Sequence, residues 1–375
     1  MSSSCGRQAS MLRSSYRTDE VSFLLTDLSG HALELGLRER ERAIAAGRNY
    51  AEMLPVEFAP GPEYLALFDT LLEQFSLQLA EHVGVLTELA FAARGGRPVL
   101  VSLARAGTPI GILMRRWALF SRAEPIPHYS VSIVRGRGID VVALDHITAR
   151  HDPARILFVD GWTGKGAIAT ELEQALAGYA AAGGATLAGD LAVIADPGHC
   201  STLFGTREDI LVPSACLNST VCGLVSRTVL NDELIGPGMF HGAKVYRELA
   251  SQDRSAQFLD ALSGRFPEVA GRVAERWPAA WAADRSVTFA GRRVVCRIQA
   301  EFGLPSQHLV KPGAGEATRV LLRRLPWRIL VRPDCRDMLA HLLLLAAERD
   351  VPVIEYPDMP YSSIGLVRPD AGADL

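Results

Sequence analysis

Asp160-Gly161-Trp162-Thr163-Gly164-Lys165-Gly166 is the run in this chain best suited to holding an anion. It follows the apolar stretch Arg155–Val159 and precedes the alanine-rich stretch Ala167–Ala182, so it reads as a strand-to-helix loop. A carboxylate at a strand end can accept hydrogen bonds from ribose hydroxyls. Backbone N–H groups opening a helix, with the Thr163 hydroxyl and the charge of Lys165, make a pocket for phosphate. Gly161, Gly164 and Gly166 let the backbone come close to it. The spacing is not that of a Walker loop. A plain strand-to-helix turn with a glycine-rich cap also fits, but it has no use for Asp, Thr and Lys together.

A second constellation is dense in thiols. Asp196-Pro197-Gly198-His199-Cys200 is followed by Ser214-Ala215-Cys216-Leu217-Asn218-Ser219-Thr220-Val221-Cys222, with His241 beyond. A cysteine within reach of a histidine is how a thiolate nucleophile forms, so Cys216 or Cys200 with His199 would suit acyl transfer. Three small buried cysteines beside a polar turn would leave the same pattern. Adjacency of His199 and Cys200 decides nothing, because neighbours on a strand point apart.

The scaffold for these residues reads as α/β. Arg97–Leu103, His128–Val134, Arg155–Val159 and Leu191–Ala195 are apolar strand-like runs, separated by helical stretches such as Ile110–Phe120 and Val141–Ala149. Such alternation implies a mostly parallel sheet with helices on both faces, with ligands bound beyond the carboxyl ends of the strands. Val287–Gln299 suggests a hairpin around Ala290-Gly291, and the break near Phe302–Pro312 suggests a domain boundary. Beyond it, helix (Gly315–Leu325), strand (Arg328–Val331), helix (Arg336–Arg349) and strand (Val351–Glu355) form a small α/β unit ahead of a Pro-rich end. The organisation expected is a disordered Ser/Arg-rich tail over 1–17, a large domain over 18–300 and a small one over 308–370.

Composition narrows the class. With 48% hydrophobic and 22% charged residues, the chain can bury a core without metal or disulfide staples. A net charge of -3 speaks against coating nucleic acid wholesale, though not against a local basic patch. Six cysteines without a CxxC pair fit a reducing cytoplasm. No run approaches the roughly 18 apolar residues that a membrane span needs.

The loop resembles that of the type I phosphoribosyltransferases, in which an apolar strand, one or two acids and a Thr/Ser-Gly loop bind phosphoribosyl pyrophosphate (PRPP). Asp160 matches the first acid, and Gly161 replaces the second, as in the uracil-type branch. Val101–Gly107 is similar to the pyrophosphate loop of that branch. The resemblance implies a type I phosphoribosyltransferase-like sheet, with Arg105 and the amides of Ala106 and Gly107 on the departing pyrophosphate and Mg²⁺ accompanying PRPP. It also puts His128–Asp140 in the place of a mobile hood, from which Arg135 and Arg137 reach phosphate.

Asn49–Leu54, Ser102–Gly107, His128–Asp140, Phe158–Gly166 and Pro213–Leu230 further resemble a bacterial family found with tellurite-resistance and stress genes. That family carries two descriptions, phosphoribosyltransferase and, under the label StiP, cysteine protease. Lys311-Pro312-Gly313-Ala314-Gly315-Glu316-Ala317-Thr318-Arg319 opens a locally basic helix and is similar to the Pelota-type RNA-binding domain. This implies RNA binding by Lys311, Gly313, Gly315, Glu316, Thr318 and Arg319, with phosphates on Lys311 and Arg319, although Gly315 stands where kink-turn binders carry Asn. Three functions stay open: a PRPP-using transferase that binds RNA, a thiol protease, and a non-catalytic nucleotide and RNA sensor.

Overall fold

The computed structural model describes residues 12–369. Strands β1 (Ser22–Phe23), β2 (Val99–Leu103), β3 (His128–Val131), β4 (Ile156–Trp162), β5 (Leu191–Ala195) and β6 (Leu203–Thr206) form one sheet in the order β1-β3-β2-β4-β5-β6. All of its pairings are parallel. Around it lie helices α1 (Leu37–Ala45), α2 (Pro62–Ala93), α3 (Gly107–Arg122), α4 (Val141–Thr148), α5 (Ala167–Ala181), α6 (Ser255–Ser263) and α7 (Phe266–Ala282).

Alternation along the strands explains why both faces are covered. Leu100, Leu157, Val159, Ala192 and Ile194 enter a core shared with α2, α3, α6 and α7. Their neighbours Val101, Phe158 and Val193 enter the core under α4 and α5. Strands buried on both sides must be apolar throughout, which is why they stand out in the sequence.

The winding places the site. From β2 the chain steps through α3 to β3, then crosses back through α4 to β4 on the far side of β2. Winding therefore reverses between β2 and β4, and a crevice opens beyond their carboxyl ends. The two turns there touch. A Cβ on Gly107 would sit 2.2 Å from the Val159 carbonyl oxygen, so only glycine lets the start of α3 lie against β4.

The second unit comprises α8 (Ala290–Glu301), β7 (Val310–Pro312), α9 (Ala314–Arg323), β8 (Pro326–Val331), α10 (Ala340–Glu348), β9 (Val353–Glu355) and β10 (Ser363–Val367). Its sheet order is β7-β10-β8-β9, with β10 antiparallel to both neighbours and β8 parallel to β9.

Several expectations need correction. The hairpin around Ala290-Gly291 is instead helix α8, whose Val295 and Ile298 pack on Val310, Leu330 and Ile364 of the C-terminal sheet. The Pro-rich end contains β10, a central strand. The helix expected over Arg336–Arg349 begins only at Ala340, as α10, after the 3-10 turns Pro333–Cys335 and Asp337–Leu339. Residues 1–11 of the expected tail lie outside the described residues. Leu12 and Tyr16, also assigned to it, are buried in the main core, with the Tyr16 hydroxyl donating to the Val221 carbonyl at 3.1 Å. Among the described residues no helix is long and apolar enough to cross a membrane.

Candidate anion-binding site

Asp160 does not end its strand, as the sequence suggested; β4 runs on through Gly161 and Trp162, and the loop proper is Thr163–Gly166. Asp160 is half-buried and pairs with Val193 in the ladder. Burial pushes its carboxyl up to about 7, offset only in part by the Gly161 N–H donating to Oδ1. That bond measures 2.8 Å.

Asp160 opens onto a cavity of about 260 Å³, walled by Thr163–Gly166 on one side and by Arg135, His308, Lys311 and Glu316 on the others. Cations dominate it. The Lys165 ammonium donates to the Gln307 carbonyl at 3.0 Å. Its pKa is lowered by burial and then by Lys311 and Arg135. Burial also lowers Lys311, with Arg324, Arg319 and Arg135 adding to the effect against the pull of Glu316. His308 is lowered by burial, Lys165, Arg135 and Lys311. Like charges held this close raise one another's energy, and an anion between them removes that penalty.

Thr163 is placed differently from the expectation. Its hydroxyl donates to buried Asp196, and its N–H to the Ala195 carbonyl at 3.0 Å. Asp196 also accepts from the N–H groups of Cys200 (2.8 Å) and Ser201 (3.2 Å). Thr163 is thus a clasp that fixes the loop to β5 and offers its hydroxyl to the protein rather than to a ligand. From the other side, the Tyr361 hydroxyl donates to the Gly164 carbonyl at 3.1 Å. Gly166, at φ +83°, caps α5.

The pyrophosphate-loop residues divide. Ala106 lies beside the loop, its carbonyl oxygen 3.5 Å from where a Gly161 Cβ would be. The Arg105 guanidinium turns away, to Glu57 (3.3 Å) and the Val225 carbonyl (2.9 Å), and lines a separate groove. Of the two hood arginines, Arg135 reaches the cavity, whereas Arg137 pairs with Asp232 at 3.7 Å and lines a cleft beside α5.

Cys200, Cys216 and Cys222 are all buried. Cys216 closes the 3-10 turn Pro213–Cys216 rather than opening a helix, and it is wholly buried in the main core. His199 is half-exposed, and its carbonyl accepts from the N–H groups of Thr288 and Phe289. Cys200 lies beneath the loop with its thiol toward the carbonyls of Gly198 (3.3 Å) and Gly164 (3.8 Å). Burial and the nearby Asp196 push that thiol up to about 12. Burial pushes Cys222 up to about 11.

The helix start assigned to RNA is docked on the first unit. Asp209, buried, accepts from the Ala314 N–H (2.9 Å) and from the Ser362 N–H (2.8 Å) and hydroxyl (2.7 Å). A Cβ on Gly315 would meet that of Ala215 at 2.6 Å. The N–H of Gly313 donates to the Ser363 carbonyl, and buried Thr318 donates to the Ala314 carbonyl. Lys311, Glu316 and Arg319 remain on cavity walls, with Arg319 paired to Glu316 at 2.8 Å.

Sequence reasoning missed His308 and Asp209, and it did not see Asp196 as the anchor of the loop. His308 sits in a Gly/Pro/Gln break with no periodic signal. As for Mg²⁺, Asp160 and Glu316 are the carboxylates at the cavity, and Glu316 is held by Arg319. Among the described residues no group of three or more His, Cys, Asp or Glu could hold a metal.

Residues 14–263 match the family model described as tellurite-like stress resistance cysteine protease StiP, and residues 289–369 match the PELOTA RNA binding domain. The cysteine protease StiP of Acinetobacter baylyi is 33% identical over 368 residues, 94% of each chain. No solved structure gives a significant match. Neither protease description mentions a transferase, so the phosphoribosyltransferase resemblance draws no support from these matches.

Proposed function

The chain belongs to the StiP family and ends in a Pelota-type RNA-binding domain, and from that premise we propose that its loop cavity binds a phosphorylated ribose, PRPP being the first ligand to test. The observation that carries this reading is the convergence of Arg135, Lys165, His308 and Lys311 on one small cavity that also holds Asp160. The volume suits a sugar phosphate better than a drug-sized ligand, which needs about 300–1,000 Å³. Asp160, with a carboxyl near 7, can hold a ribose hydroxyl and can also pass a proton either way at neutral pH. In transfer chemistry the anomeric C–O bond to pyrophosphate breaks, a nucleophile bonds to that carbon, and the cations take up the charge of the leaving group. Mg²⁺ enters only as a rider on the ligand's own phosphates. We place the boundary between the two units at 283–289, because α8 packs with the C-terminal core.

The test is thermal unfolding with and without PRPP and Mg²⁺. A ligand at 100 times its Kd adds about 2.7 kcal/mol, which raises the Tm by about 5 °C or more in a domain of this size. Lys165→Ala should remove most of the shift. A parent protein that shows none at millimolar ligand speaks against the reading.

The second reading is the thiol peptidase, favoured by the name of the relative and by the position of Cys200 directly under the loop. It requires a thiolate. With its thiol near 12 against the ordinary 9, Cys200 should be about a thousandfold less ionised than a free cysteine at neutral pH. Among the described cysteines, iodoacetamide at pH 7.5 is therefore expected to label exposed Cys296 first and Cys200 hardly at all. Rapid stoichiometric labelling of Cys200, with loss of a peptidase activity, would reverse the order of the two readings.

A further inference from the structure

A second cavity, of about 470 Å³, lies between the two units on the other side of Lys311. Six cations line it: Arg40 from α1, Arg105 from the turn after β2, Arg227, Lys311 from β7, and Arg319 and Arg324 from α9 and its end. Against them stand Glu57, bonded to Arg105 and to the Ser219 N–H, and Glu316, paired with Arg319. Among the described lining residues, two carboxylates therefore face six cations. Burial, Arg40 and Arg105 all lower the pKa of Arg227, and the Arg40 Nε is buried with no hydrogen-bond partner among the described residues. A groove that accumulates this much charge from both units, with one guanidinium nitrogen unmet, is built for several anionic groups at once.

Two features favour a nucleic acid strand over a small polyanion. Phe58 lies on the wall among these cations, 40% exposed, and an aromatic face beside cations is what sites for single strands use to stack a base. Half of the cations belong to the unit that matches an RNA-binding domain. The start of α9, by contrast, is closed off by Asp209 and Ala215.

We propose that a single RNA strand lies in this groove, its phosphates on the six cations and a base on Phe58, with a phosphorylated terminus reaching the loop cavity across Lys311. Lys311 and Glu316 line both cavities, which makes them one track. The terminal part rests on the reading of the loop as a phosphate site; the groove part does not. On this account the sugar phosphate in the loop is the end of an RNA.

Fluorescence anisotropy with a labelled ten-nucleotide RNA, carrying either a 3′-phosphate or a 3′-hydroxyl, tests both parts. Arg40→Glu/Arg324→Glu should weaken both RNAs at least tenfold while leaving the PRPP-induced thermal shift intact, which also reports that the variant folds. Arg324→Ala, at an exposed position, should lower the slope of log K against log salt by about one. Removing the terminal phosphate should cost the parent about tenfold, and Lys165→Ala should erase that difference alone. Parent-like RNA affinity in the double variant overturns the groove, as does tighter binding of an acidic peptide than of RNA. Equal affinity for the two ends in the parent overturns the terminal placement. Loss of RNA binding in a double variant that keeps the parent's ligand-free Tm, with no PRPP shift in the parent, supports the groove and removes the loop reading.

Discussion

Replacing Asp160 by Asn is expected to stabilise the ligand-free protein at pH 8, leave it nearly unchanged at pH 4, and abolish the response to PRPP. The sign follows from the carboxyl, which moves from 3.8 to about 7 on folding. Between those values the folded state holds a proton that the unfolded state has lost, so stability falls as pH rises through the window. Above pH 7 the folded protein bears the full cost of a charged, poorly solvated carboxylate. Each unit is worth 1.36 kcal/mol, which bounds the effect at about 4 kcal/mol; the half-exposed position makes about 2–4 kcal/mol the expected range. Asn keeps the shape and cannot ionise. Urea unfolding of parent and variant at the two pH values checks this. Equal stability at pH 8, or a loss there, would mean that Asp160 is satisfied by the protein and is not held ready for a ligand.

Asp209→Ala should act in the opposite direction and loosen the C-terminal unit from the first. The carboxylate receives three donors from α9 and from the Ser362 segment, all in buried surroundings. Alanine leaves those donors without partners, at about 1–3 kcal/mol each and less than additively, for an expected loss of about 3–5 kcal/mol. Because Asp209 belongs to the first unit and its donors to the second, hydrogen exchange should rise at the Ala314 and Ser362 amides while the β2, β4 and β5 amides stay protected. Uniform loss of protection across both units would show that they unfold as one and that Asp209 is no hinge between them.

What could be read from the chain depended on how local the cause was. Strands β2, β4 and β5 carry the apolar runs Val99–Val101, Ile156–Val159 and Leu191–Ala195 because helices cover both faces, so they were visible directly. The Asp160–Gly166 loop was visible as well, since its acid, hydroxyl, cation and glycines are consecutive. The partners that give the loop its meaning were not. Thr163 looked like a phosphate ligand, and nothing near it announced that Asp196, at the end of a different strand, takes its hydroxyl. Arg105 has the type and place of a pyrophosphate ligand, but Glu57, from the N-terminal segment, turns it into the groove. Lys311 and His308 complete the cavity from the second unit, and sequence patterns do not encode how two units dock. Helix α8 was misread because Ala290-Gly291 suggests a turn, whereas the i, i+3 spacing of Val295 and Ile298 serves a helical face on the neighbouring sheet.

The most direct test of the loop as a phosphate site is diffraction from crystals soaked in PRPP and Mg²⁺. The account predicts density for a phosphate among Lys165, Lys311 and Arg135, with a ribose hydroxyl on Asp160. Clear protein density with that cavity empty of ligand, or ligand bound only elsewhere, would contradict it.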